Sequence, residues 1–299
     1  MKGTHSQKAP RIIGIIIGNE GVYCTLHTVT SQLHRQPKDS HGVDFGRVRL
    51  WCLDGHSKHY RQTVLLSGLP APELNTVWNS HCVNYRGKVR VSNPVAGVGA
   101  MARVLSDTPV VWHRIEATSV SASLEARFKY LTEKIMPQFS RDSMDHTLVF
   151  IPSYFDFVKV RNWFKFSDLD FSEISEYSKD KKVAKARDEF YHNEKHFLLY
   201  TERAHYYRRF RVKGIRHLIF LQPPAQPGTL AELCSLQQAA FQNGRGGSST
   251  NMSCTVLYTK YDTVRLGLCV GSSTAGTMLG AESAVHRWGL ATGAWSRYC

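Results

Sequence analysis

HTLVFIPSYFDFVKVRNWFK, residues 146–165, contains the repeating unit of the fold. His146 to Ile151 is a short apolar run that favours a strand, and Pro152 closes it because proline cannot donate to a sheet ladder. Ser153 then stands where a helix N-cap belongs, with Asp156 three residues on to meet the first-turn amides. Phe157, Val160 and Phe164 follow at helical spacing and supply one apolar face. A strand feeding directly into a helix is the unit of a parallel sheet, because a parallel neighbour is reached only through a crossover.

The unit recurs downstream. Phe171 to Ile174 reads as a strand, and the next helix turns Val183, Ala186 and Phe190 inward. His196 to Tyr200, Arg216 to Leu221 and Cys254 to Tyr258 read as further strands, with helices over Leu230–Phe241 and Tyr261–Leu268. Upstream, Val110, Val111 and Trp112 make a strand, and Leu124, Phe128, Leu131 and Ile135 fall on one helix face. About five strand–helix repeats with short connections argue for a doubly wound, mostly parallel α/β sheet. Before residue 110 the pattern thins to a strand at Gln62–Leu66, punctuation at Pro70–Pro72 and a helix over Glu73–Cys82. Ile12 to Ile17 reads as a buried strand or a frayed segment. Gln242 to Ser249 reads as a flexible loop, and the last 20 residues as weakly structured.

The 299 residues carry 38 Lys plus Arg against 24 Asp plus Glu, a formal charge of +14 that points to a polyanion partner. No run of 18 apolar residues exists, so the sequence encodes no membrane-spanning helix. The isoleucine run is too short for a signal peptide and stops at Asn19 and Glu20. Seven scattered cysteines without a C-x-x-C pair argue against a disulfide framework or zinc knuckle, and for a reducing compartment. His56 and His59 form H-x-x-H, but no acidic or cysteine partner stands at ligand spacing, so they read as structural or solvent histidines.

Catalytic signatures are sparse. A phosphate-binding P-loop needs G-x-x-x-x-G-K-[ST], and no such string occurs. Gly14 to Gly21 has glycines without the lysine and hydroxyl, while Gly244 to Thr250 has hydroxyls but follows no strong strand. Asp188-Glu189, the acidic pair of the later half, falls inside a helix and reads as a solvated face. His286-Arg287-x-Gly289 begins like a helicase arginine-finger motif, but Leu290 and Gly293 replace the arginines that should follow. No G-x-S-x-G elbow and no H-E-x-x-H are present. No cofactor and no metal site are implied.

One segment carries concentrated binding chemistry: TERAHYYRRFRVKGIRH, residues 201–217. Arg203, Arg208, Arg209, Arg211, Lys213 and Arg216 alternate with His205, Tyr206, Tyr207 and Phe210. Arginine forks match phosphate oxygens, and aromatic faces stack on unpaired bases. The segment follows a strand, so it should leave the carboxyl edge of the sheet, where such folds bind ligands. The alternative is that Tyr207 and Phe210 anchor the core while the arginines form a solvated face.

Four long strings resemble one family. They are residues 37–69 (PKDSHGVDFGRVRLWCLDGHSKHYRQTVLLSGL), 146–165, 195–224 (KHFLLYTERAHYYRRFRVKGIRHLIFLQPP) and 254–266 (CTVLYTKYDTVRL). The chain is similar in them to the U3 small nucleolar RNA-associated protein 25 family, also called digestive organ expansion factor. That family resembles a degenerate DEAD-box helicase, with two RecA-like lobes lacking usable ATPase motifs. Leu66-Ser67-Gly68 then stands in place of the helicase Ser-Ala-Thr motif, and the Ala231–Ala240 helix, which should carry arginine fingers, has no arginine.

The resemblance implies a degenerate second RecA-like lobe over residues 111–280, preceded by the tail of a first lobe at 26–110. Residues 1–25 stay unmatched, and 281–299 form a C-terminal tail. It implies a non-catalytic component of the small-subunit processome in the nucleus and nucleolus, acting in pre-rRNA processing and 40S ribosome biogenesis. Its expected partners are U3 small nucleolar RNA, pre-rRNA and processome proteins, without membrane or small-molecule substrate. The family's acidic N-terminal region and most of its first lobe have no counterpart here, so the chain reads as truncated. The rival readings are an RNA-dependent ATPase whose P-loop lobe is missing, and a protein-only module that binds acidic assembly factors.

Overall fold

Strands in a parallel sheet are covered on both faces, so every position must tolerate burial. In the computed structural model, Thr147–Ile151 (β4), Phe197–Thr201 (β6) and His217–Phe220 (β7) are buried at every residue. The structure describes residues 13–18, 42, 44–67, 72–91, 99–103, 108–140, 144–242, 251–289 and 294–297. The chain divides into two units, residues 1–92 and 93–299.

In the first unit, Ile13–Gly18 (β1) pairs in parallel with Gln62–Ser67 (β2), from Ile13 opposite Gln62 to Gly18 opposite Ser67. The isoleucine run is therefore a strand, and Gly14 and Gly18 belong to it rather than to a phosphate loop. Two short helices, Leu50–Leu53 (α1) and Ser57–Tyr60 (α2), precede β2, and Pro72–His81 (α3) follows it. Buried Arg61 joins these pieces by donating to His81 O (2.6 Å) and Thr63 Oγ1 (3.2 Å).

The second unit holds the expected α/β sheet. Val110–Ile115 (β3), β4, Phe171–Ile174 (β5), β6, β7 and Ser253–Thr259 (β8) run in parallel in the order β3-β8-β7-β4-β6-β5. Side chains alternate across the strands and build one core on each face. Leu148, Phe150, Leu198, Tyr200, Leu218, Phe220, Val256 and Tyr258 share one cluster. Val149, Ile151, Phe197, Leu199, Ile219 and Leu257 share the other.

Asp180–Tyr191 (α7) covers the first face with Val183, Ala186 and Phe190, as the spacing requires. Pro227–Gln242 (α9), Thr263–Val270 (α10) and Ser272–Gly280 (α11) complete that layer with Leu230, Leu233, Cys269 and Met278. Tyr154–Phe166 (α6) covers the second face with Phe157, Val160 and Phe164, and Ser153 caps it as expected by accepting from Asp156 N at 3.1 Å.

Two expectations need correction. The stripe of Val120–Tyr130 (α4) is shifted: Leu124 is half exposed, and the buried line runs Ser123, Arg127, Leu131, Ile135. A π turn at Leu131–Ile135, continued by Met136–Phe139 (α5), widens the spacing and puts successive buried residues four apart. Next, the described tail residues form strands: Val285–Gly289 (β9) pairs antiparallel with β3, and Ala294–Arg297 (β10) with β9. His286 and Arg287 are thus strand residues, not a finger motif. The turn Ala100–Arg103 belongs to the second unit, with Met101 in its core. The loop expected at Gln242–Ser249 lies, from residue 243 on, outside the described residues.

Candidate nucleic-acid interface

Parallel strands all point their carboxyl ends to one edge, so β6 delivers Thr201 there. Thr201 caps Glu202–Arg208 (α8) by accepting from Ala204 N at 3.3 Å, and its hydroxyl donates to Glu176 Oε2 at 2.9 Å. Glu202 Oε1 accepts from Ala225 N at 2.6 Å, tying the helix to the loop after β7. The helix ends at Arg209, whose φ of 43° places a non-glycine residue in the left-handed region, and Arg209 N donates to His205 O at 2.8 Å.

The ten residues singled out in the sequence do not form one patch. Tyr206 and Tyr207 are 44% and 64% exposed, with ring centroids 5.2 Å apart at 81°. Arg203 lies over the Tyr207 ring at 5.8 Å, and Arg208 over the half-buried Phe210 at 6.0 Å. Arg208 also pairs with Asp180 at 2.9 Å, which neutralises part of its charge. After Arg209 the chain alternates: Val212 and Ile215 enter the core while Arg211 and Lys213 stay exposed. Arg209, Arg211 and Lys213 have no carboxylate partner among the described residues.

His205, Phe210 and Arg216 are placed differently from the sequence expectation. His205 is 2% exposed, sharing a hydrogen bond with Tyr200 OH (3.2 Å at Nδ1) and facing Glu232 Oε2 at 3.5 Å. Burial lowers its pKa, and the Glu232 carboxylate opposes that shift. It is a core histidine and cannot reach a base. Phe210 packs against the core cluster. Arg216 stands at the start of β7, where its N–H donates to His146 O (3.1 Å) at the amino edge of the sheet. One strand of about five residues at about 3.3 Å each separates the two edges by about 15 Å.

The basic segment therefore runs as a stripe beside α7 rather than as a cluster. Arg208 meets Asp180 at the start of α7, Arg187 donates to Arg211 O at 2.8 Å, and Gly214 lies against Tyr191 at its end. Exposed Lys181 on α7 was missed by the sequence reading; its signal is the Lys-Lys-x-x-Lys pattern that follows Asp180. Among the described residues, no group of histidines, cysteines and carboxylates could hold a metal, His56 and His59 included.

Residues 100–288 match the family described as "Utp25, C-terminal domain". The chain belongs to the U3 small nucleolar RNA-associated protein 25 family. Residues 23–89 match a second description, "UTP25, NTP hydrolase-like domain". Among curated members of this family, the chain is 45% identical over 257 residues to the U3 small nucleolar RNA-associated protein 25 homolog of Xenopus tropicalis, covering 86% of this chain and 33% of that protein. It is 46% identical over 250 residues to the homolog of Homo sapiens, covering 84% and 32%. The chain thus spans about a third of the length of these relatives. A solved structure of S. cerevisiae Dbp5 bound to RNA and ADP BeF3 matches with a TM-score of 0.40 and 13% identity, over 74% of this chain and 49% of that one.

Proposed function

We propose that the chain is a non-catalytic, RecA-like part of the small-subunit processome that contacts U3 small nucleolar RNA or pre-rRNA during pre-rRNA processing in the nucleolus. Membership of a family named for association with U3 small nucleolar RNA supports the setting. The observation that carries the contact is the α8 stripe: two exposed tyrosine rings, followed along the chain by exposed Arg209, Arg211 and Lys213, which lack carboxylate partners among the described residues. Ring faces accept unpaired bases, while the cations meet phosphates. Absence of a P-loop string, and of arginine from the Ala231–Ala240 stretch of α9, supports the non-catalytic reading.

The test is RNA affinity against salt. Each phosphate contact on a single strand contributes a slope of about 0.7 in log K against log salt, so replacing Arg209, Arg211 and Lys213 with Gln should lower it by about 2. Tyr206→Ala and Tyr207→Ala should each cost about 1–3 kcal/mol of binding at unchanged slope. An unchanged slope in the triple variant refutes the α8 contact. Magnesium-dependent ATP turnover by the full-length protein refutes the non-catalytic reading.

A further inference from the structure

The stretch from Gly42 to Val91 carries seven Lys and Arg against three Asp and Glu. None of those cations forms an ion pair among the described residues, whereas the second unit pairs Lys129, Lys159, Lys182, Lys185, Lys195 and Arg208 with carboxylates. The cations nearest α1 and α2, Arg49 and Lys58, are exposed. The cations outnumber the three carboxylates of the stretch and pair with none among the described residues, an excess that favours an anionic partner.

Three rings form a row through this stretch. Trp51 of α1 lies 5.0 Å from Tyr60 at the end of α2, and Tyr60 lies 5.3 Å from Tyr85, at interplanar angles of 54° and 52°. Two hydrogen bonds fix the row, since Tyr85 N donates to His59 O at 2.9 Å and the His59 ring Nδ1 donates to Val83 O at 3.2 Å. If the rings only stapled two loops together they would be covered, yet Tyr60 is 43% and Tyr85 63% exposed. Arg86 stands over Tyr85 at 5.7 Å and donates its Nε to Tyr85 OH at 2.9 Å. Its two terminal nitrogens have no partner among the described residues.

We infer that the Trp51–Tyr60–Tyr85 row is a second stacking platform, for single-stranded RNA, with Arg86, Lys58 and Arg49 meeting the phosphates. Two exposed tyrosines backed by a partly exposed Trp51, with cations that lack carboxylate partners among the described residues, match unstacked bases on a charged backbone. An acidic protein segment would use the cations and leave the rings idle, and a duplex offers no free base faces. This platform is independent of the α8 reading and can fail without it.

The experiment uses the whole chain and a fluorescein-labelled single-stranded oligouridine of 12 nucleotides. Ultraviolet crosslinking should place uridine adducts on Trp51, Tyr60 or Tyr85. By anisotropy, Tyr85→Leu should weaken binding about five-fold or more at unchanged salt slope, while Tyr85→Phe, which keeps the ring, should bind like the parent. Arg49→Gln with Lys58→Gln, which disturbs no packed ring, should lower the salt slope by about 1.4. Adducts confined to residues 203–213, with parent affinity in Tyr85→Leu, overturn this inference and leave the α8 contact standing. An unchanged slope in the Arg49/Lys58 variant also overturns it. So does competition by poly-glutamate that depends on Arg86 but not on Tyr85, which would assign the face to acidic protein.

Discussion

Replacing Arg127 with Met should destabilise the second unit by about 3 kcal/mol, in the lower part of the range for breaking a buried ion pair. Arg127 and Asp262 have side chains only 6% and 8% exposed, with Arg127 NH2 at 2.9 and 2.7 Å from the two carboxylate oxygens. The same guanidinium donates to Gln222 Oε1 at 2.9 Å and to Thr259 Oγ1 at 3.2 Å, joining α4 to the ends of β7 and β8. Without it, Asp262 is an unbalanced buried charge. The loss stays below the upper limit of about 5 kcal/mol because Asp262 Oδ2 still accepts from Thr259 N and Thr259 Oγ1, both at 2.8 Å. Hydrogen exchange of the β8 amides reports the opening of this core directly, and about 3 kcal/mol corresponds to roughly 150-fold faster exchange. Asp262→Asn in the Arg127→Met background should recover part of the loss, with a coupling of at least about 1 kcal/mol. Acceleration below about five-fold would refute the claim that this pair holds the carboxyl edge together.

Arg114 donates to the carbonyls of Met278 (3.2 Å), Leu279 (2.9 Å), Ala281 (2.6 Å) and Glu282 (3.3 Å), closing the end of α11. Arg114→Met should cost about 1.5–3 kcal/mol and deprotect α11 and β9 in hydrogen exchange, with Lys restoring only part. At Gly99, φ is +78° and an added Cβ would lie 2.4 Å from Gly271 N, so Gly99→Ala should cost about 1–3 kcal/mol in urea unfolding. Burial, aided by Arg216, holds His217 at a pKa of about 4, below its ordinary 6.5. The folded state resists protonation there, so stability is whole above pH 6.5 and declines as pH falls toward 4. His196, His146 and Asp145 face the same ring, the histidines adding to the shift and Asp145 opposing it. Urea midpoints at pH 7, 5.5 and 4.5 should fall in the parent and fall less in His217→Asn.

The strands were legible because each carries its own signal: FLLYT and TLVFI are apolar at nearly every position, and only a sheet covered on both faces accepts such runs. The α4 stripe was misread because Arg127 is charged and belongs inside only once Asp262, far along the chain, supplies its counter-charge. The π turn then hid the true spacing from a count that assumes 3.6 residues per turn. The strand VHRWG escaped because its polar residues break both periodicities, and only pairing with β3 reveals it. For the site, the segment's placement after a strand was readable, but its division was not. Adjacent residues in 201–217 look equivalent in sequence, whereas the crossover carries Arg216 from the edge that bears Tyr206 to the opposite one. The row of Trp51, Tyr60 and Tyr85 was invisible for the opposite reason, since its rings come together only through folding.

How α8 is held explains why its rings suit recognition better than rings on a free loop. Ordering a loop at the moment of binding costs conformational entropy that subtracts from affinity. Here that cost is met during folding: Thr201 caps the helix, Glu202 grips the loop after β7, and His205 turns into the core between Tyr200 and Glu232. Phe210 closes the far end against the same apolar cluster. The buried members of the segment are therefore the foundation of the exposed ones, and the two placements left open by the sequence, buried anchor and exposed surface, divide between neighbouring residues. Tyr207 goes to the surface and Phe210 to the core. A basic-aromatic string acts as a rigid platform when part of its aromatic content is committed inward, and the sheet edge decides which part.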